Sequence, residues 1–159
     1  LSRGAAEAVF VERQPLAARA LRDNLARLKA ENARVETAEA LAWLRQPATP
    51  FEIVLLDPPF GQGLLEPVCA ALEAGGWLAK TAWIYLEAEA ELERLPLPAC
   101  WTIHREKIAG AVSYRLARRE KSMCLAAKRG LQGRAAKLLL LYVGLLPCFL
   151  SCLYAAKIP

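Results

Sequence analysis

The stretch that decides the fold is FEIVLLDPPF, which runs from Phe51 to Phe60. Its first seven residues form a nearly continuous apolar run that ends in an acid, as in a strand buried on both faces of a parallel sheet. Proline fixes φ and has no backbone donor, so Pro58 and Pro59 must end the strand in a rigid turn. Parallel α/β sheets bind ligands at the carboxyl ends of their strands, and we therefore expect the chemistry to centre on Asp57.

Outward from this stretch, strands and helices alternate. Apolar runs predict strands over 8–12, 33–36, 51–57, 83–87, 101–107 and 111–118. Helical spacing predicts helices that begin at Pro15 and that span 38–44 and 63–72. The first helix has its apolar positions at Leu16, Ala20, Leu21, Leu25 and Leu28. This order predicts a doubly wound α/β sheet, mostly parallel, with an antiparallel hairpin at its C-terminal edge.

The distribution of charged residues differs between residues 1–120 and the C-terminal residues 121–159. Residues 1–120 carry 15 Lys and Arg against 16 Asp and Glu, whereas residues 121–159 carry six basic residues and no acidic one. The basic balance therefore belongs to the tail and does not by itself indicate a nucleic-acid partner. The five cysteines show no metal-ligand spacing, which favours free thiols in a reducing compartment and no bound metal.

The tail contains an uncharged run from Leu138 to Ala156. Its length suits a helix that crosses a bilayer, and membrane contact through 138–156 is one interpretation. A buried core helix, or a segment foreign to the domain before it, is the other. We expect the domain to be 1–120 and the tail to be 121–159.

The motif Asp57-Pro58-Pro59-Phe60 suits methyl transfer to an exocyclic amine of a base. Such an amine is a poor nucleophile because its lone pair is delocalised into the ring. A carboxylate on Asp57 and the carbonyl of Pro58 can accept both N–H hydrogens and favour a pyramidal nitrogen, while the proline pair keeps that carbonyl rigid. Phe60 offers a face on which an extruded base can stack.

This motif resembles the (N/D/S)PP(Y/F/W) motif of S-adenosylmethionine-dependent amino methyltransferases, and separate stretches of residues 1–119 resemble the RsmD family. These stretches are LSRGA (1–5), NL (24–25), NARV (32–35), DPPF (57–60), GLLE (63–66), GWLA (76–79) and HREK (104–107). The resemblance implies a Rossmann-like class I methyltransferase sheet. It also implies cytoplasmic methylation of the N2 amine of one guanine in bacterial 16S rRNA, with the rRNA or the small ribosomal subunit as partner, by an enzyme that we expect to be monomeric.

Site residues follow from the same resemblance. Glu12 matches the acid that binds the ribose hydroxyls of S-adenosylmethionine, and a carboxylate can accept from both hydroxyls. Glu39 and Ala40 occupy the place that contacts the adenine, although a Glu here also suits a simple helix start. Asp57, Pro58, Pro59 and Phe60 are the predicted catalytic residues, with Asp57 also near the cofactor.

Two departures from the family are evident in the sequence. The first strand of the family's sheet, which is central, and the glycine-rich loop after it are missing, so we expect a truncated member whose chain starts in mid-fold. The apolar tail is atypical of the family. Two alternatives therefore stay open: an adenine-N6 DNA methyltransferase, which uses the same motif, and a non-catalytic fragment associated with a membrane.

Other charged residues are assigned weaker roles. Arg105 and Lys107 could contact phosphates, although a solvated strand face explains them equally well. Acids alternate at Glu87, Glu89, Glu91 and Glu93, which we interpret as a solvated strand end or loop.

Overall fold

The computed structural model of the protein describes residues 4–92, 95, 97–120 and 136–142. The strands in these ranges are β1 (Glu7–Glu12), β2 (Ala33–Thr37), β3 (Phe51–Asp57), β4 (Leu78–Glu89), β5 (Trp101–Ala109), β6 (Val112–Glu120) and β7 (Lys137–Tyr142). The helices are α1 (Pro15–Arg27), α2 (Ala40–Trp43) and α3 (Leu65–Ala74).

The strands form one sheet in the order β2-β1-β7-β3-β4-β6-β5. Neighbours from β2 to β4 are parallel, whereas β6 is antiparallel to both β4 and β5. Gly110 lies at the turn between β5 and β6 with φ of 60°, a conformation that L side chains rarely adopt. The predicted Rossmann-like sheet, mostly parallel with an antiparallel C-terminal edge, is confirmed.

Strand β7 comes from the predicted tail and lies between β1 and β3 in the centre of the sheet. Its leucines at 139, 140 and 141 are buried. A continuous apolar run fits a central parallel strand as well as a helix, because periodicity alone does not distinguish the two. The helical interpretations of the tail, bilayer-spanning or core, are therefore wrong for residues 138–142. Residues 143–156 lie outside the described residues.

The described helices include none that is long and apolar enough to cross a bilayer. The family resemblance left the central position of the sheet without a strand. Strand β7 fills this position, and its backbone pairs with β1 on one side and with β3 on the other.

Tryptophans join the short helix α2 to the sheet. The rings of Trp43 and Trp77 lie 4.4 Å apart, and Phe51 stacks near Trp77 with ring centroids 6.3 Å apart. The indole N–H of Trp77 donates to the carbonyl oxygen of Leu44 at 2.9 Å. These contacts place the core around β3, so the start of the motif-bearing strand is held firmly.

Helix α1 buries less apolar surface than its sequence predicts. Only Ala18 is fully buried, whereas Leu16 is 84% exposed and Leu28 is 73% exposed. Leu16 lies in the first turn of the helix and Leu28 is its C-cap residue. The helix is confirmed, but three of the predicted apolar positions are exposed (Leu16, Ala20 and Leu28), and only Leu21 and Leu25 are partly buried.

A hydrogen-bonded ion pair joins α3 to the antiparallel edge. Arg119 on β6 donates to both carboxylate oxygens of Glu73, from Nε at 2.7 Å and from Nη2 at 2.6 Å. The indole N–H of Trp101 also donates to Glu73 at 2.9 Å. Chiefly through the hydrogen bonds from Arg119, these contacts lower the pKa of Glu73 to about 2. The pair fixes α3 against β5 and β6, and thereby one wall of the site below.

Candidate active site

Three acids lie in one row across the sheet, at or near the carboxyl ends of its parallel strands. Glu12 ends β1 and Asp57 ends β3, and both are in register with Tyr142 of β7 between them. One residue beyond the Leu56–Leu86 pair of β3 and β4, Asp57 comes next to Glu87. Adjacent strands are about 4.8 Å apart, so Asp57 and Glu87 are close neighbours. We call Glu12, Asp57 and Glu87 the acidic row.

The motif turns sharply out of the sheet after Asp57. Asp57 is half-buried, Pro58 is buried and Phe60 is 42% exposed. Burial raises the pKa of Asp57. Gly61 follows with φ of 72°, and its backbone N–H donates to the carboxylate of Glu89 on β4. This hydrogen bond ties the motif loop to the end of the neighbouring strand.

A pocket with a volume of about 470 Å³ opens beside the motif. Its lining includes Pro58, Pro59 and Phe60 of the motif together with Glu87 and Leu92. Asp57 does not line this pocket but directly precedes the residues that do. Three of the four predicted catalytic residues are thus brought together around one cavity, which has an exposed aromatic ring at its wall.

Glu87 corrects the interpretation of the alternating acids. It is 4% exposed, and the hydroxyl of Tyr85 donates to its Oε1 at 3.0 Å. Its pKa is raised, first by burial and then by the charge of Asp57. The solvated-strand interpretation holds for the exposed Glu91 but is wrong for Glu87, and Glu93 lies outside the described residues.

A sequence signal for Glu87 was present. Glu87 follows the apolar strand segment Trp83–Leu86 just as Asp57 follows its own strand. The carboxyl-end rule that selected Glu12 and Asp57 applies equally to Glu87.

Glu12 is fully buried with one carboxylate oxygen unused. Its Oε1 accepts the backbone N–H of Gln14 at 2.7 Å, whereas its Oε2 has no hydrogen-bond partner among the described residues. Burial raises the pKa of Glu12, and the nearby charge of Asp57 contributes in the same direction. Buried polar atoms are nearly always hydrogen-bonded, so this oxygen is suited to accept a hydrogen bond from a ligand hydroxyl.

Glu39 is placed beside Glu12 but its carboxylate is occupied. The backbone N–H of Ala38 donates to the carbonyl oxygen of Glu12 at 3.1 Å, which brings the start of α2 to the end of β1. Both oxygens of Glu39 cap α2, accepting from Leu41 at 3.0 Å and from Ala42 at 2.8 Å. Capping of α2 accounts for a glutamate at position 39 even when no ligand is bound. The cofactor-binding roles of Glu39 and the buried Ala40 stay predictions.

The predicted phosphate contacts lie on the edge strand. Arg105 and Lys107 are exposed on β5, and Lys107 pairs with Tyr114, which in turn pairs with Glu87. Lys107 therefore lies in line with the acidic row, two strand spacings from Glu87, or about 10 Å. Their contact with RNA stays a prediction.

The described residues contain no group of three or more His, Cys, Asp or Glu side chains that is arranged to hold a metal ion.

Comparison with known proteins places this geometry in a family. The sequence model of the family described as conserved hypothetical protein 95 matches residues 1–118. The ribosomal RNA small subunit methyltransferase D of Escherichia coli K12 is 50% identical over 120 residues, which are 76% of this chain and 61% of that protein. The chain belongs to the RsmD family. The Haemophilus influenzae methyltransferase of the same name is 40% identical over 73% of this RsmD-type chain and 62% of its own length.

Solved structures agree with the RsmD assignment. An Escherichia coli structure described as a methyltransferase superposes with a TM-score of 0.73 at 49% identity, over 76% of this chain and 68% of the other. A Haemophilus influenzae structure described as a methylase superposes with a TM-score of 0.70 at 38% identity, over 76% of each chain.

The RsmD-type chain spans only part of its curated relatives, 61% of the Escherichia coli protein. The family match ends at residue 118, so β7 lies outside it. The strand in the centre of this sheet is therefore drawn from sequence that the family model does not cover.

Proposed function

We propose that the protein methylates the exocyclic N2 amine of a guanine in 16S rRNA, with S-adenosylmethionine as methyl donor. The observation that carries the proposal is the position of Asp57-Pro58-Pro59-Phe60 at the carboxyl end of β3, beside a pocket of about 470 Å³. Membership of the RsmD family, whose curated relatives are named as small-subunit rRNA methyltransferases, supports the same activity.

The residues of the motif would orient the amine. The carboxylate of Asp57 and the carbonyl oxygen of Pro58 each accept one N–H of the amine, so that the nitrogen lone pair points away from both. Phe60, with 42% of its surface exposed, stacks on the extruded base. Holding the amine in this orientation accelerates the reaction, because the reacting groups are already positioned before the methyl group is transferred.

Glu12 would hold the cofactor at its ribose. Its buried and unpartnered Oε2 fits a hydroxyl donor, and the start of α2 lies beside it as the adenine end of the site. When bound, S-adenosylmethionine supplies an electrophilic methyl group. The residues that follow β7 lie outside the described residues.

The substrate would be an RNA that also contacts the exposed edge of the sheet. Arg105 and Lys107 are exposed there and would neutralise phosphates, making binding weaker at higher salt. The partner would be free 16S rRNA or the small ribosomal subunit, in the cytoplasm, and the enzyme would act as a monomer.

The test is transfer of labelled methyl from S-adenosylmethionine to small ribosomal subunits that lack the modification. Asp57→Ala should lower transfer by roughly 10²–10³-fold, a loss comparable to that of other preorganised hydrogen bonds at reacting atoms. Asp23→Ala is the matched control, because Asp23 is exposed on α1, and it should leave transfer unchanged.

Digestion of the product to nucleosides completes this test. Label in N2-methylguanosine supports the proposal. Label in N6-methyladenosine would favour the adenine-N6 alternative, and equal transfer by wild type and Asp57→Ala would refute the role of the motif.

A further inference from the structure

We propose that Glu87 determines base specificity by accepting the N1–H of the target guanine. This inference rests on the proposed function and assigns the substrate-reading role to a residue outside the DPPF motif. In guanine, N1–H lies next to the N2 amine on the same edge of the base. Adenine and 2-aminopurine have a bare acceptor nitrogen at N1, which a carboxylate repels.

The position of Glu87 suits this contact. It lines the same pocket as Pro58 and Phe60, and its backbone is one strand spacing from that of Asp57. If Asp57 and the Pro58 carbonyl hold the two amine hydrogens, the next donor along the base edge faces the next strand along the sheet. That strand is β4, and Glu87 is its residue in the acidic row.

The hydrogen bonds of Glu87 leave it with acceptor capacity. The Tyr85 hydroxyl donates to Oε1 at 3.0 Å, and within the described part of the chain no other group donates to this carboxylate. The side chain is 4% exposed, so little water can replace a missing donor. Burial first and the charge of Asp57 second raise its pKa, so the ionised carboxylate is poorly stabilised without a ligand. A ligand N–H would stabilise it, whereas a ligand acceptor would leave two acceptors face to face.

The other acids that line the pocket are either hydrogen-bonded to the protein backbone or exposed to solvent. Glu89 accepts the backbone N–H of Gly61, and Glu66 and Glu91 are exposed to solvent. Among these pocket carboxylates, Glu87 alone combines burial with a nearby predicted catalytic acid. A site with a buried acceptor rejects ligands that cannot pair with it, because the cost of the unpaired group is then unavoidable.

The experiment compares the binding of two nucleosides, guanosine and 2-aminopurine riboside, by the full chain. Both have the N2 amine, and only guanosine has N1–H. Wild type should prefer guanosine by roughly 5- to 150-fold, the range for discrimination by good base-edge contacts. Glu87→Gln should bring the ratio close to one, because an amide can donate to the bare N1 as well as accept from N1–H.

Glu91→Gln is the matched control, since it makes the same chemical change at an exposed position of the same pocket wall, and it should keep the wild-type ratio. Glu87→Asp provides a second variant that retains the charge but withdraws the carboxylate by one methylene, and it should also lower the ratio. Circular dichroism on each variant confirms that it is folded.

A wild-type ratio near one would overturn the inference, as would a wild-type ratio retained in both Glu87 variants. Methyl transfer to small subunits is measured separately on the same proteins. Absent transfer by wild type would count against the proposed function, while the nucleoside ratio would still decide whether Glu87 reads the base.

Discussion

Carboxylates at two places in this fold, one on α3 and one at the carboxyl end of the sheet, differ in the hydrogen-bond donors that surround them. At the join of α3 and the antiparallel edge, Glu73 receives hydrogen bonds from Arg119 and Trp101, and its pKa falls to about 2. In the acidic row, Glu12 and Glu87 have few donors, and their pKa values are raised. The first arrangement stabilises the ionised acid, whereas the second leaves it short of partners.

The difference separates stability from function within one sheet. A buried acid with a full set of donors stabilises the fold at neutral pH. A buried acid without them costs stability and is retained where a ligand can provide the missing donors. We therefore expect changes at Glu73 to alter folding, and changes in the acidic row to alter ligand binding first.

Glu73→Gln should have the largest effect on stability. It removes the charge that faces Arg119, whose side chain is 4% exposed, and leaves a guanidinium buried without a counter-charge. We expect the free energy of unfolding at pH 7 to fall by about 2–3 kcal/mol, measured by urea denaturation.

Glu66→Gln on the same helix is the control for this prediction. Glu66 is exposed, so its change should stay within about 0.5 kcal/mol. Equal losses for the two variants would mean that the ion pair contributes nothing specific.

The pH dependence of stability should distinguish the two places by sign. The pKa of Glu73 is lowered from 4.5 to about 2, so its contribution is present above pH 4.5 and is lost as the pH falls through 2. The pKa values of the acidic row are raised, so ionisation of these groups as the pH rises above their unfolded values costs stability.

Unfolding measured from pH 7 to pH 2 should therefore show wild type losing up to about 2–3 kcal/mol through Glu73 at the acid end. In Glu73→Gln this acid-end loss should shrink by the same amount. An unchanged profile in the variant would show that other groups govern the acid limb.

The strands and site residues that follow from local patterns along the chain could be predicted from the sequence. The apolar run before Asp57 predicted the central strand and the site beside it, and Glu12 followed from the same rule. Strand β7 was missed because Leu138–Leu141 satisfies a helix and a buried strand equally, and only the open position between β1 and β3 decides between them. The Glu73–Arg119 pair joins residues 46 positions apart, a separation that no local pattern reports.

Glu87 was missed for a different reason. Its alternation with Glu89 and Glu91 suggested a solvated segment, but β4 continues to Glu89 and pairs with β6 along this end, so Glu87 lies inside the sheet and is buried. Pairing across the sheet, and not the chemistry of the residue itself, determined its burial.

Glu12→Gln should have the smallest effect on stability and should act in the opposite direction to Glu73→Gln. It removes a buried charge that lies near Asp57. The carboxylate, one oxygen of which is unpartnered, becomes a neutral amide. We expect the free energy of unfolding to rise by about 0.5–1 kcal/mol at pH 8, as is common when a strained functional group is relaxed. Near pH 4, where the wild-type acid is largely protonated, the gain should disappear, because its pKa is raised.

The same variant should bind S-adenosylhomocysteine about tenfold more weakly, because an amide has only one acceptor oxygen for two ribose hydroxyls. Calorimetric titration measures this affinity, and Glu36→Gln, on the neighbouring strand β2 with its carboxylate partly exposed, is the control that should change neither quantity. A Glu12→Gln protein that gains stability but binds as tightly as wild type would keep the contrast between the two places while removing Glu12 from the cofactor site. A protein that loses stability would instead show that Glu12 is satisfied in the fold, and the contrast would then rest on Asp57 and Glu87 alone.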